Sequence, residues 1–192
     1  MTVWMLTVKL GLQHRVLALM VDMERESVSG VHVTPAYAEA ANGYVLVRLP
    51  LEGDVDEDGP QEALIPADAF KLALSTLWAR QTMTVSIDVK AATFHTPVGD
   101  WVVEVLRAQF PSQSAERVLV PYRPNDGSQS FSVTLATKYL RAIVDIAEAL
   151  EGPRIRLQID TPLKAMRVDY GDTGIVGAVM PMNYLDRKED GT

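Results

Sequence analysis

Strand-like and helix-like spacings of apolar residues succeed one another three times along the chain. Val3–Leu10 is strand-like, and Leu12–Glu24 then carries Leu12, Val16, Leu19, Met20 and Met23 at helical spacing. Strand patterns return at Val28–Thr34 and, after the Asn42-Gly43 turn signal, at Tyr44–Leu49. A second unit begins with Ala63–Ile65 as a strand. Pro66-Ala-Asp68 starts a helix with Ala69, Leu72, Ala73, Thr76 and Leu77 along one face. Strands are expected at Met83–Val89, Ala92–Thr96 and Trp101–Leu106. The third unit has a strand at Ser130–Leu135, a helix over Ala136–Leu150 and Gly152-Pro153 as its stop. Three more strands follow, at Arg154–Ile159, Ala165–Asp169 and Ile175–Met180.

The units begin near residues 3, 62 and 130, a spacing of about 60–70 residues that exceeds solenoid periods. Turn-rich connections, not crossover helices, separate the strands within each unit. The expected fold class is therefore α+β with antiparallel sheets. Two segments read as connections: the acidic stretch 52–61, and Pro111–Gln129, rich in Ser, Pro, Asn and Gly.

Composition narrows the function classes. The chain has 192 residues, 47% hydrophobic and 22% charged, which suits a globular protein of one large or two small domains. It contains no cysteine, which excludes disulfide scaffolds, thiolate zinc sites and cysteine nucleophiles. No apolar run approaches the ~18 residues of a membrane span, and the N-terminal stretch lacks the order of a secretory signal. A soluble cytoplasmic protein with no membrane partner is expected. The net charge of −7 argues against nonspecific wrapping by nucleic acid, although a local basic stripe remains compatible with it. Residues 1–60 hold 4 Lys and Arg against 9 Asp and Glu, with much of the excess in 52–59.

Catalytic signatures are absent. The chain has no GxGxxG, GxxxxGK[ST] or GxSxG motif. His14, His32 and His95 are far apart and read as surface or core residues, not ligands. Asp54-Val-Asp56-Glu-Asp58-Gly59 copies the opening of a calcium loop, but position 7 is Pro60 and position 12 is Ile65 where a bidentate Glu belongs. A solvated loop is the better reading. No enzyme activity, metal or cofactor is expected.

Five segments carry a resemblance. Ala178-Val-Met-Pro-Met182, the Phe131–Val144 strand–helix, Ala40-Ala-Asn-Gly-Tyr-Val-Leu46, Phe110-Pro111 with Arg117-Val-Leu-Val-Pro121, and Ala63–Phe70 stand in that family's order across residues 28–184. They resemble the bacterial DNA polymerase III β sliding clamps, whose corresponding motifs are VMPM, FNxxYLxxVL, ATDGHRL, FPDYRRVLP and a second strand–helix entry. Tyr44 and Val45 replace His-Arg of the family turn, Asn183 replaces the Arg after VMPM, and extra residues separate Pro111 from Arg117. The family's rings hold about twelve strand–helix–strand half-repeats, whereas this chain shows three. Four copies would restore twelve.

The resemblance implies a clamp-like domain of two half-repeats over 1–111, a linker over 112–129, a half domain over 130–185 and a polar tail over 186–192. It implies a processivity factor without catalysis that encircles duplex DNA, independent of sequence, as a homo-oligomeric ring, with a tetramer suggested. Its partners would be a DNA polymerase, other clamp-motif peptides and a clamp loader. A ring that slides contacts phosphates and reads no bases. The DNA-facing candidates on the helices are Arg15, Arg25, Lys71, Arg80, Lys138 and Arg141. The peptide groove carried over from the family comprises Gly43, Tyr44, Val45, Leu46, Pro111, Arg117, Val118, Val179, Met180, Pro181 and Met182. The alternative is a non-encircling homologue that binds clamp-motif peptides as an adaptor or competitor.

Overall fold

Leu6, Val8 and Leu10 are fully buried along β1 (Leu6–Gly11), while Lys9 stays in solvent, so the strand shows the period of two its sequence carries. The computed structural model describes residues 5–119, 133–150, 154–161 and 164–181. Two compact units are present, Met1–Ser112 and Gln113–Thr192.

In unit 1, β1 runs into a 3-10 helix, Leu12–Leu19. An α-helix to Glu24 is expected from the spacing, and the difference has a local cause. The buried side chains His14, Leu17 and Met20 are three residues apart, which fits the three-residue turn of a 3-10 helix. His14 also folds back on the helix start, its Nδ1 accepting the Gly11 N–H at 3.0 Å, and its Nε2 lies 3.2 Å from the Pro50 carbonyl. Four strands follow: β2 (Gly30–Val33), β3 (Tyr37–Ala41), β4 (Val45–Pro50) and β5 (Glu52–Val55). Gly43, with φ of 84°, turns β3 into β4, and Asn42 Oδ1 accepts the Tyr44 and Val45 N–H groups at 3.1 and 2.9 Å.

The second half of unit 1 repeats the plan with β6 (Ala63–Pro66), α1 (Ala67–Leu74), β7 (Thr82–Ile87), β8 (Ala91–Thr96) and β9 (Gly99–Glu104). The halves exchange their first strands. β1 lies between β5 and β7 in a five-stranded antiparallel sheet of order β5-β1-β7-β8-β9, and β6 pairs with β2 to extend β4-β3-β2. The 3-10 helix and α1 pack together, and Phe70 of α1 meets Phe94 of β8 edge to face at 6.4 Å.

Unit 2 holds most of α2 (Ser112–Leu119), then α3 (Thr137–Ala149) and an antiparallel run of β10 (Ile155–Gln158), β11 (Met166–Tyr170) and β12 (Val176–Val179). α3 buries Tyr139, Ile143, Ile146 and Ala147, the i, i+4, i+7, i+8 series of an amphipathic helix. Arg167 on β11 donates to the Leu119 carbonyl at the end of α2 and pairs with Asp169 at 2.7 Å.

The α+β class with antiparallel sheets holds, and four local expectations are corrected. Tyr37–Ala41 is a strand although its Ala-Glu-Ala-Ala composition is poor in β-formers; small side chains suit its place between β2 and β4. The acidic stretch opens with β5, whose Glu52 stands opposite Lys9 in the register. The Pro111–Gln129 connection begins with α2, where Ala115 and Leu119 are buried four residues apart. Residues 133–135, expected as the end of a strand, carry none. Residues 120–132 and 182–192, with Met182 and the polar tail, lie outside the described residues.

Candidate nucleic-acid and peptide-binding residues

The basic side chains singled out above sit at three kinds of position. Arg15 is exposed on the 3-10 helix, and Lys71 is exposed on α1, which packs beside it. Arg25 and Arg80 are not on helices. Arg25 lies between the 3-10 helices Leu12–Leu19 and Glu26–Val28, pairs with Asp22 at 3.4 Å, and extends its guanidinium over Gly43. Nη1 lies 2.6 Å from the place where a Cβ on Gly43 would stand, a flexible end that can swing aside, and it is the φ of 84° that favours glycine in this turn. Arg80 follows α1 in a left-handed turn with φ of 68°. Lys138 and Arg141 are exposed on α3 in unit 2. Arg141 Nε donates to Asp145 Oδ1 at 2.7 Å, and that bond, with the charges of Asp145 and Glu148, raises its pKa. Water screens such an exposed pair, so a phosphate can compete for the guanidinium.

The groove candidates divide between the units. In unit 1, Tyr44 is 47% exposed at the β3–β4 turn, whereas Val45 and Leu46 are buried behind it. Pro111 is exposed just after buried Phe110. In unit 2, Arg117 is exposed and Val118 half-buried on α2; Val179 is buried, Met180 is 38% exposed and Pro181 half-buried at the end of β12. The structure thus brings Arg25, a DNA-facing candidate, against Gly43, a groove candidate.

No family model matches the sequence, and no curated protein is similar to it in sequence. Solved structures are similar in fold. The DNA polymerase III subunit beta from Borrelia burgdorferi, in complex with a natural product, superposes with a TM-score of 0.72 at 10% identity over 92% of this chain and 62% of that one. The Helicobacter pylori beta clamp bound to a DNA ligase peptide gives 0.72 at 9% identity, over 93% and 66%. The beta subunit from Thermotoga maritima gives 0.66 at 15% identity, over 93% and 65%. This is the fold of a bacterial sliding clamp. The chain spans less than two thirds of the length of each of these clamps.

Within unit 1 of this clamp fold lies a polar cluster that the sequence reading passed over. The register places His32 on β2 opposite Glu39 on β3, and Glu39 opposite Arg48 on β4. Glu39 is fully buried and both its oxygens are used. Oε1 meets His32 Nδ1 at 2.9 Å, while Oε2 accepts from Arg48 Nε at 2.9 Å and faces Nη2 at 2.8 Å. His32 Nε2 lies 3.0 Å from Glu62 Oε2, so a carboxylate faces each ring nitrogen. Phe110 stacks on the imidazole at 4.8 Å, and Arg48 lies 3.8 Å above the Tyr37 ring. A cavity of about 400 Å³ opens beside His32, lined also by Glu62, Asp88, Arg107 and Phe110. The one sequence signal was a Glu amid the alanines of 36–41, a position that becomes meaningful only once β3 is recognised as a buried strand. Among the described residues no group of three or more side chains is arranged to hold a metal ion, and no helix is long and apolar enough to cross a membrane.

Proposed function

We propose that this chain is a sliding-clamp-like processivity factor that encircles duplex DNA, independent of sequence, as a homo-oligomeric ring. Partner peptides of a polymerase dock on it, and the chain itself catalyses nothing. The observation that carries this reading is a clamp fold over 92% of a chain that spans less than two thirds of its structural neighbours. Further copies would complete a ring, and the half-repeat count points to four. Exposed Arg15, Lys71, Lys138 and Arg141 on helices of an otherwise acidic protein suit weak phosphate contact inside a closed ring. A clamp loader would then open and close it on DNA. The peptide bound to the Helicobacter pylori clamp supports a docking role here for Tyr44 and Met180.

Two sheet edges suit head-to-tail closure. Among the described residues β9 pairs only with β8, and carries Asp100 and Glu104 with Val102 70% exposed. β10 pairs only with β11, and carries Arg156, preceded by Arg154, with Ile155 and Leu157 exposed. An acidic, apolar edge on one copy meets a basic, apolar edge on the next, and a heterologous contact of this kind generates rings.

The test is retention on a nicked circular template before and after it is cut. The clamp is expected to stay on the circle and to slide off the linear product. Arg156→Glu is expected to lower the mass measured by light scattering and to abolish retention on the circle. Equal retention on circular and linear DNA would overturn the reading.

A further inference from the structure

Trp78 is the most exposed of the large apolar side chains in the described residues, at 77%. A single exposed apolar residue needs no explanation by itself, but the turn that presents this one is tightly built. Leu77 is buried and anchors it. The Trp78 N–H donates to Gln81 Oε1 at 2.8 Å, and the Gln81 N–H donates back to the Trp78 carbonyl at 3.0 Å. Between them Arg80 is held at φ of 68°, the one non-glycine residue with a positive φ among those described. That conformation is unusual for a long side chain and marks a turn fixed by its surroundings. The backbone is therefore ordered while the indole stands in water.

The charge of the segment that carries the ring has one sign. Residues 69–87 contain Lys71 and Arg80 and no Asp or Glu, in a chain of net charge −7. Lys71 is exposed on α1, and Arg80 follows Trp78 in the turn. The Ser75 N–H bonds to the Lys71 carbonyl and the Leu77 N–H to the Leu74 carbonyl, so helical turns continue past α1. Lys71 and Ser75 are exposed at i and i+4, and Trp78 is exposed where the helical bonding ends.

We propose that Trp78, with Arg80 and Lys71, forms a stacking site for an unpaired nucleobase of single-stranded nucleic acid, the flanking phosphates meeting the two cations. An indole face accepts any base without hydrogen-bond readout, and bases within a duplex are already stacked on one another. The site therefore distinguishes a template with a single-stranded tail from a blunt duplex. Its place on a DNA-holding protein rests on the ring reading above, but the stacking itself needs no ring.

The experiment measures anisotropy of a labelled oligothymidylate of about 12 nucleotides, and of a blunt duplex, with the full chain at low salt. Trp78→Ala is expected to weaken single-strand binding roughly tenfold and to leave duplex binding unchanged, whereas Trp78→Phe keeps most of the affinity. Arg80→Ala should reduce the slope of log affinity against log salt by about one. A thermal melt equal to that of the parent shows that the variants fold, as an exposed ring predicts. Unchanged single-strand binding in Trp78→Ala overturns the proposal, as does an equal loss on duplex and single strand. Loss confined to polymerase binding also overturns it and makes Trp78 a protein contact. Retention on circular duplex is followed in the same variants: if the parent fails that assay while the stacking results hold, the ring reading falls and the site stands.

Discussion

Buried polar groups are treated differently in the two units. In unit 1 a carboxylate with no exposure at all is answered on both oxygens, by His32 across one strand and by Arg48 across the other. In unit 2, among the described residues, the Tyr170 hydroxyl and Gln158 Oε1 are buried with no hydrogen-bond partner. The Tyr170 hydroxyl has its pKa raised by burial alone. Removal from water costs each group a desolvation penalty, and for Glu39 it is returned through bonds whose positions the strand register fixes. Satisfaction of a buried charge is thus a property of neighbouring strands. The four-stranded run of unit 1 supplies a partner on each side of Glu39.

Breaking the unit 1 cluster should have the largest effect. Glu39→Ala leaves His32 and the Arg48 head group in the interior without their anion, and is expected to lower stability by about 3–5 kcal/mol in urea titration. Glu62→Gln provides the contrast, because Glu62 is half exposed; a change within about 1 kcal/mol is expected. Equal losses in the two variants would show that the buried register contributes nothing special.

Acid should sharpen the same comparison through His14. Burial lowers its pKa from 6.5, with the Pro50 and Gly11 backbone bonds opposing in part. The unfolded chain therefore takes up a proton at a higher pH than the folded chain does. The contribution of His14 is complete above pH 6.5 and is lost as the pH falls below that value toward the folded pKa. His14→Gln should flatten the fall in melting temperature over that window; an unaltered slope would assign the acid sensitivity to other groups.

The smallest effect is expected in unit 2. Tyr170→Phe removes a buried hydroxyl that bonds nothing among the described residues, so stability should stay within about 1 kcal/mol of the parent or rise. A loss well beyond that would mean that the hydroxyl does have a partner.

Much of the fold could be read from the apolar rhythm, because strands such as β7 and β8 carry bulky or β-branched residues between turn signals. Helix α3 was equally plain from Tyr139, Ile143 and Ile146. What escaped has physical causes. β3 is built of alanines whose burial depends on the strands to either side, and α2 shows only two buried residues within a Ser- and Gln-rich stretch. The Leu12–Leu19 helix changed type because a buried imidazole bonds its first turn. The cluster around Glu39 is a product of pairing across strands, which no spacing along the chain reveals. Of the basic candidates, Arg25 and Arg80 lie in turns, the first closed by backbone bonds with Asp22 and Val28 and the second by bonds with Gln81.

The exchange of β1 and β6 between the halves of unit 1 has a bearing on how the protein is made. As the chain leaves the ribosome, β1 emerges well before β7, the flanking strand that ends at Ile87. The pairing Leu6↔Ile87 closes a loop that takes in nearly the whole unit, and contacts so distant in sequence form late. The first half-repeat therefore waits, with an edge of β1 unsatisfied, until the second has been synthesised. Each half lends its first strand to a sheet of the other, so neither half holds its sheets complete by itself.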